Sequence, residues 1–257
     1  MKTSFLKPEE KLSEYVQEIL VLEDFWTGTP FKLPLFANGK PTLLFQTAKG
    51  RIKNGSNYLT LFGQTVLPDM LTIKDNFVLI AYFLKPHTLI SLFGCSAREL
   101  TDNPIDLNVF SSCKRTSLQE QLLNAPSIDA IISLLNEYLF DLVKKIKLNI
   151  PLIKYATNKI AHSPHHKILT EVQGELCVTE RTFQRMFQQN VGVSPGQFRR
   201  ICQFNNAFQQ LNRQRSKSLA EITFWNGYAD QSHFIRAFKE FTHLTPTDYL
   251  NYNGLTS

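Results

Sequence analysis

The sequence predicts an α+β protein in which an antiparallel, β-rich half is followed by an all-helical half. Three observations predict it. Short aromatic-rich apolar runs separated by Gly, Pro and Asn fill the first hundred residues, apolar side chains change to an alternating spacing of 4 and 3 from Ser127 onward, and charge is divided unevenly along the chain. Residues 1–150 carry 16 basic against 15 acidic side chains, and residues 151–257 carry 12 against 7, so most of the net charge of +6 sits in the last two fifths. A basic unit beside a near-neutral one suits a polyanion binder with a separate sensing or assembly unit, although so moderate an excess also serves solubility.

With 257 residues, 43% of them apolar and 20 of them Phe, the chain has core material for one large or two ordinary domains, which excludes a mainly disordered protein. The longest uncharged apolar run, Phe77 to Leu84, is far short of the ~20 residues of a membrane-spanning helix and reads as a buried strand. No apolar stretch precedes Lys7 and Glu9, so no secretory leader is expected, and the cytoplasm is the expected compartment. Cys95, Cys113, Cys177 and Cys202 form no C-x-x-C pair for zinc or a redox disulfide.

Taken in order, Leu12, Tyr15, Val16, Ile19 and Leu20 keep a helical spacing, which predicts a short helix ahead of the sheet. Strands are expected at 42–47, 58–62 and 77–84, following turn signals at Asn38-Gly39-Lys40-Pro41, Lys53-Asn54-Gly55-Ser56-Asn57 and Lys74-Asp75-Asn76; together they indicate a sandwich or barrel. From Ser127, a helix N-cap residue type, Ile128, Ile132, Leu135, Leu139, Leu142 and Ile146 repeat at 4, 3, 4, 3 and 4. Two readings stand: a helix covering the sheet, because Ile131, Leu134, Tyr138 and Val143 widen the stripe, or a homodimer seam through Ile132, Leu135, Leu139 and Leu142. Lys144 to Pro151 marks a solvated junction. The expected divisions are therefore 1–126, a β-rich regulatory domain; 127–150, a helical linker; and 151–257, an all-helical domain.

The carboxy-terminal third repeats one plan twice. A short helix from Ile168, a turn at Leu176-Cys177-Val178 and a helix capped by Thr179 come first; a long helix after Ser194-Pro195 follows; then a short helix from Ser218, a turn at Asn226-Gly227-Tyr228 and a helix capped by Asp230. This is a helix-turn-helix arrangement occurring twice. With Phe183, Met186 and Phe187 inward, the first capped helix turns Arg181, Gln184, Arg185 and Gln188 outward; with Phe234, Ala237 and Phe238 inward, the second presents Gln231, Ser232, Ile235, Arg236 and Lys239. Arg donates twice to guanine and Gln pairs with adenine in the major groove, while hydroxyls and helix amino ends hold phosphates. One such helix reads as an ordinary solvated surface; two around a connecting helix point to DNA.

The stretch from Gly227 to Lys239, followed by Thr245-Pro246-Thr247-Asp248-Tyr249, resembles the second helix-turn-helix of AraC-type transcription regulators. Arg181 to Phe187 with Gly192-Val193-Ser194-Pro195 resembles the first, and the likeness covers about residues 152–252. It implies double-stranded DNA as partner, base reading by Arg181, Gln184 and Arg185 in one unit and by Gln231, Ser232, Ile235 and Arg236 in the other, and RNA polymerase as a further partner. Less specifically, Pro41 to Phe45 and Leu92 to Leu100 resemble the cupin-like β-sandwich of the same regulators, which implies a small-molecule effector or a dimerisation role. The chain departs from the pattern at Cys177, where the family has Gly; at Thr223, where it has Ala; and at Gln203 and Leu250, where it has Arg. The last two put part of the grip on the DNA backbone in question.

Two rivals remain at this stage. A cupin-type metalloenzyme needs about three His and carboxylate ligands on one metal, and His87 is the single histidine of residues 1–150. His162, His165 and His166 lie around Pro164 without a Cys or Asp partner nearby. Neither a G-x-S-x-G elbow nor a phosphate-cradling G-x-x-x-x-G-K occurs, so no catalysis, metal or cofactor is expected. A protein-binding adaptor that no longer reads DNA is the second rival.

Overall fold

In the computed structural model of the chain, residues 1–52, 55–146, 150–213 and 218–254 are described, with side chains as far as residue 251. The expected turn at Lys53-Asn54 and the Lys147-Leu148-Asn149 part of the junction lie outside them.

Eight antiparallel strands share one sheet: β1 (Lys2–Leu6), β2 (Val16–Asp24), β3 (Phe31–Leu35), β4 (Thr42–Ile52), β5 (Gly55–Phe62), β6 (Asp69–Ile73), β7 (Phe77–Leu84) and β8 (Ile105–Asp106). Their order is β1-β2-β7-β4-β5-β8, with β3 paired to β6 and β6 meeting β4 where Arg51 faces Thr72. β4 loses register against β5 between Phe45 and Gly50, and the bend folds the β3–β6 pair over one face of the sheet. Alternation sorts the side chains: Leu22, Leu44, Leu71, Ile73, Phe77 and Leu79 fill the space between the layers, whereas Ile19, Val21, Leu43, Phe45, Ile80 and Tyr82 face the opposite way.

Helices cover that second face. After α1 (Leu89–Phe93), α2 (Ser111–Thr116) and α3 (Leu118–Leu123) comes α4 (Ile128–Val143), whose N-cap Ser127 accepts from the Ala130 amide at 3.2 Å. Ile131, Leu135, Tyr138, Leu139 and Leu142 are buried against the sheet, each contributing about 1.5–3 kcal/mol of apolar burial. The sheet-covering reading thus holds, and Leu135, Leu139 and Leu142 are closed to a second copy. Asn136 anchors the helix: it accepts from the Tyr82 hydroxyl at 2.8 Å and donates to Glu9 at 2.6 Å.

The helix expected over 12–20 does not form. Glu10–Leu12 is a single 3-10 turn, and β2 begins at Val16. A bulge opposite β7 between Val16 and Glu18 returns Val16 and Ile19 to the same face, so the apparently helical spacing is the imprint of one extra residue in a strand.

The remaining helices are α5 (Pro151–His162), α6 (Ile168–Glu175), α7 (Glu180–Asn190), α8 (Pro195–Arg213), α9 (Leu219–Trp225), α10 (Gln231–Thr242) and α11 (Pro246–Gly254). They build two cores, one around Phe183, Phe187 and Phe198 and one around Phe204, Phe234, Phe238 and Phe241. α8 joins them: Phe198 and Cys202 enter the first, and Ile201, Phe204, Ala207 and Leu211 the second.

Candidate nucleic-acid interface

Each unit is made by local chemistry. In the first, α6 ends at a turn where Cys177 takes φ of +50, a left-handed conformation that favours glycine, and the Thr179 hydroxyl starts α7 by accepting from the Thr182 amide at 3.3 Å. In the second, α9 opens on a capping box between Ser218 and Glu221, Gly227 takes φ of +68 at the equivalent turn, and Asp230 starts α10 by accepting from the His233 amide at 2.7 Å. Counted from the caps, Phe183 matches Phe234, Phe187 matches Phe238, and Arg185 matches Arg236. The paired Phe residues are all buried.

The predicted outward residues fall as follows. On α7, Arg181, Gln184 and Arg185 are exposed and Gln188 is half-buried; on α10, Gln231, Ser232, Arg236 and Lys239 are exposed and Ile235 is half-buried. Arg181, Arg185, Arg236 and Lys239 take part in none of the ion pairs among the described residues, so their charges are available to a ligand. By contrast, Arg200 is paired with Glu240 and so ties α8 to α10, and Lys159 with Tyr155 holds Glu175 across α5 and α6.

Of the four departures from the family pattern, Gln203 and Leu250 both pack against the rest of the second unit. Gln203 is buried and donates to the carbonyls of Asn226 and Gly227 at 2.9 and 3.1 Å, fixing the turn of the second unit. Leu250 packs against the second core. Thr223 is also buried, its hydroxyl donating to the Leu219 carbonyl at 2.7 Å. After Thr245-Pro246, Asp248 completes a reciprocal cap with Thr245 that opens α11; the hydrogen bonds from Thr245 hold its carboxyl below the usual range.

His87 lies inside the fold. It is 5% exposed, with Nδ1 3.3 Å from the Thr157 hydroxyl of α5, so it spans the two halves of the chain. Burial, reinforced by Lys154 and Lys85, pushes its pKa down to about 4. Beside it lies a cavity of about 310 Å3 lined by Glu14, Tyr15, His87, Ser91 and Lys154 and walled by Val143, Ile146 and Ile150; Lys154 pairs with Glu14 at 2.5 Å. Among the described residues no cluster of three or more His, Cys, Asp or Glu is arranged to hold a metal.

Sequence reasoning missed the contacts between the halves. Phe36 and Ala37 reach the second core, and Thr101 donates to the Gly192 carbonyl at 3.0 Å. The signal was present in two apolar residues placed directly before the Asn38-Gly39 turn.

Comparison with known proteins agrees with this geometry. Residues 174–252 match the family described as "Helix-turn-helix domain", and residues 4–106 match "Domain of unknown function (DUF6597)". An uncharacterized HTH-type transcriptional regulator of Haemophilus influenzae is 34% identical over 91 residues, covering 35% of this chain and 30% of that protein. The probable transcriptional regulator LumQ of Photobacterium leiognathi is 25% identical over 166 residues, 64% of this chain and 59% of LumQ. The chain thus spans between 30% and 59% of the length of these relatives. Among solved structures, ToxT of Vibrio cholerae superposes with a TM-score of 0.53 at 12% identity, over 90% of this chain and 98% of ToxT. A second ToxT structure, bound to (E)-4-(8-methylnaphthalen-1-yl)but-3-enoic acid, gives 0.51 at 12% identity, over 91% and 97%. With two capped helix-turn-helix units hung on one connecting helix behind a β-sandwich, the chain carries a helix-turn-helix family domain over residues 174–252 and shares the fold of ToxT.

Proposed function

We propose that the protein is a sequence-specific regulator of transcription that binds double-stranded DNA, with α7 and α10 entering successive major grooves. The observation that carries this is the pair of equivalent helices, each starting at a side-chain cap and each carrying an arginine free of ion pairs at the same place, Arg185 and Arg236. In this reading Arg181, Gln184 and Arg185 read bases in one half-site and Gln231, Ser232, Ile235 and Arg236 in the other; Gln188 and Lys239 lie toward the phosphates. In the same reading residues 1–126 form a regulatory domain, 127–150 a linker whose helix α4 packs on the sheet of that domain, and 151–257 the DNA-binding domain. The cavity beside His87 is large enough for a small effector, and its Lys154 and Tyr15 supply polar contacts. The AraC-type resemblance supports RNA polymerase as partner and the cytoplasm as location, and no helix among the described residues is long and apolar enough to cross a membrane.

Selection from a random duplex library by the full chain, followed by titration at several salt concentrations, tests the proposal. The expected result is an enriched bipartite site whose affinity falls steeply as salt rises. Absence of binding at every salt concentration refutes DNA reading and favours the protein-binding adaptor.

A further inference from the structure

The β3–β4 loop leaves the sandwich and ends against α8. Ala37 is 1% exposed within the second core, and the Phe36 ring stands edge-on to Phe208 and Tyr249 with centroids 5.6 and 6.3 Å away. Two residues on, Gly39 takes φ of +74, and a Cβ there would lie 3.6 to 3.8 Å from Ile201, Phe198 and Cys202. One loop therefore touches both cores.

A second loop runs beside it. Val66 packs on the first core and on the second, and its amide, with that of Leu67, donates to Asp102 at 2.7 and 2.9 Å. Gln64 donates to the Gly39 carbonyl at 3.2 Å, tying the two loops together. A third contact braces the first unit alone: Gly192, at φ of +96 just past α7, lies so close to the 3-10 turn Ala97–Leu100 that a Cβ would stand 2.6 Å from the Ala97 carbonyl oxygen.

α8 has 19 residues and is about 28 Å long, and helices of that length bend readily at small angles. A strap gripping its flank where it passes between two cores opposes that bending. We infer that the Phe36–Gly39 and Gln64–Leu67 loops fix the relative angle of α7 and α10, so that the β-domain determines which spacing of half-sites the chain accepts. Phe36, Ala37 and Val66 are then positioning residues acting through α8. This rests on the DNA-reading proposal above.

The test uses the full chain and the duplex it selects, with one or two base pairs added to or removed from between the half-sites. One base pair turns the second half-site by about 34°. The wild type is expected to lose at least tenfold in affinity at each single-base-pair change. Phe36→Ala with Val66→Ala is expected to bind the best duplex more weakly yet to lose threefold or less across the same series, while Phe36→Leu restores the wild-type profile. Each single substitution is measured too, so that a variant with a cooperative melt is available if the double variant does not fold. A folded variant that weakens on every duplex by one common factor overturns the inference, because that pattern is lost affinity without lost spacing control. A wild type that selects no duplex overturns the DNA-reading proposal, and this inference with it.

Discussion

Replacing Gln203 by Leu isolates the role of an internal hydrogen-bond hub while nearly preserving side-chain volume. Gln203 is 4% exposed, donates to two carbonyls of the second turn and accepts from Arg199 at 3.3 Å. Two neutral hydrogen bonds contribute roughly 0.5–1.5 kcal/mol each, and the Asn226 and Gly227 carbonyls they serve lose their side-chain partner. Arg199 keeps its bond to the Pro164 carbonyl at 3.1 Å, so its loss adds little. The sum is about 2 kcal/mol, which for a chain of this size lowers Tm by roughly 4–8 °C. Thermal unfolding followed by circular dichroism measures it. Because the bonds hold the turn leading into α10, the variant should also weaken binding at the second half-site more than at the first. A Gln203→Leu protein melting within about 1 °C of the wild type, with both half-sites equally affected, would refute the assignment of this residue to the turn.

Other expectations follow from the same structure. Arg185→Ala and Arg236→Ala should each cost about 1–3 kcal/mol at one half-site and relax base preference there, whereas Lys239→Ala should weaken all duplexes alike and lower the salt slope by about one; an unchanged ratio of selected to random DNA in the arginine variants contradicts base reading. Because burial holds the His87 pKa at about 4 against an ordinary 6.5, the native chain favours the neutral ring, and this stability is whole above pH 6.5 and is lost on acidification toward pH 4, at up to about 1.4 kcal/mol per unit. Urea midpoints at pH 7, 6 and 5 should therefore converge between the wild type and a less stable His87→Gln, and a pH-independent difference counts against it. Cys177→Gly should raise Tm, relieving a left-handed residue by about 0.5–1 kcal/mol; a lower Tm would show that the Cys177 contact to the Gly174 carbonyl matters more.

The helical half was legible because its signals are local. Thr179, Ser218 and Asp230 each cap the helix that follows, and Pro195 opens α8 as its position after Ser194 indicated. The outward residues were legible for the same reason, since the buried Phe pairs orient each helix. β2 was misread because a bulge shifts strand periodicity by one residue, which a short window cannot distinguish from a helical turn. α2 and α3 have six residues each, too few to establish a period. The functions of Gln203, Leu250 and Ala37 depend on partners far away in sequence. A polar or apolar residue in a motif does not itself say whether it faces solvent, a turn or another domain.

The β3–β4 loop and the Ala97–Leu100 turn also bear on the order in which the protein is made. Translation releases the sandwich before α8 emerges, so Phe198, Ile201, Phe204 and Phe208 meet a surface already built. A carboxy-terminal fragment cut free by a protease would instead carry that flank of α8 bare, an apolar patch of the kind quality-control machinery recognises. Clearance of the fragment would follow from its geometry.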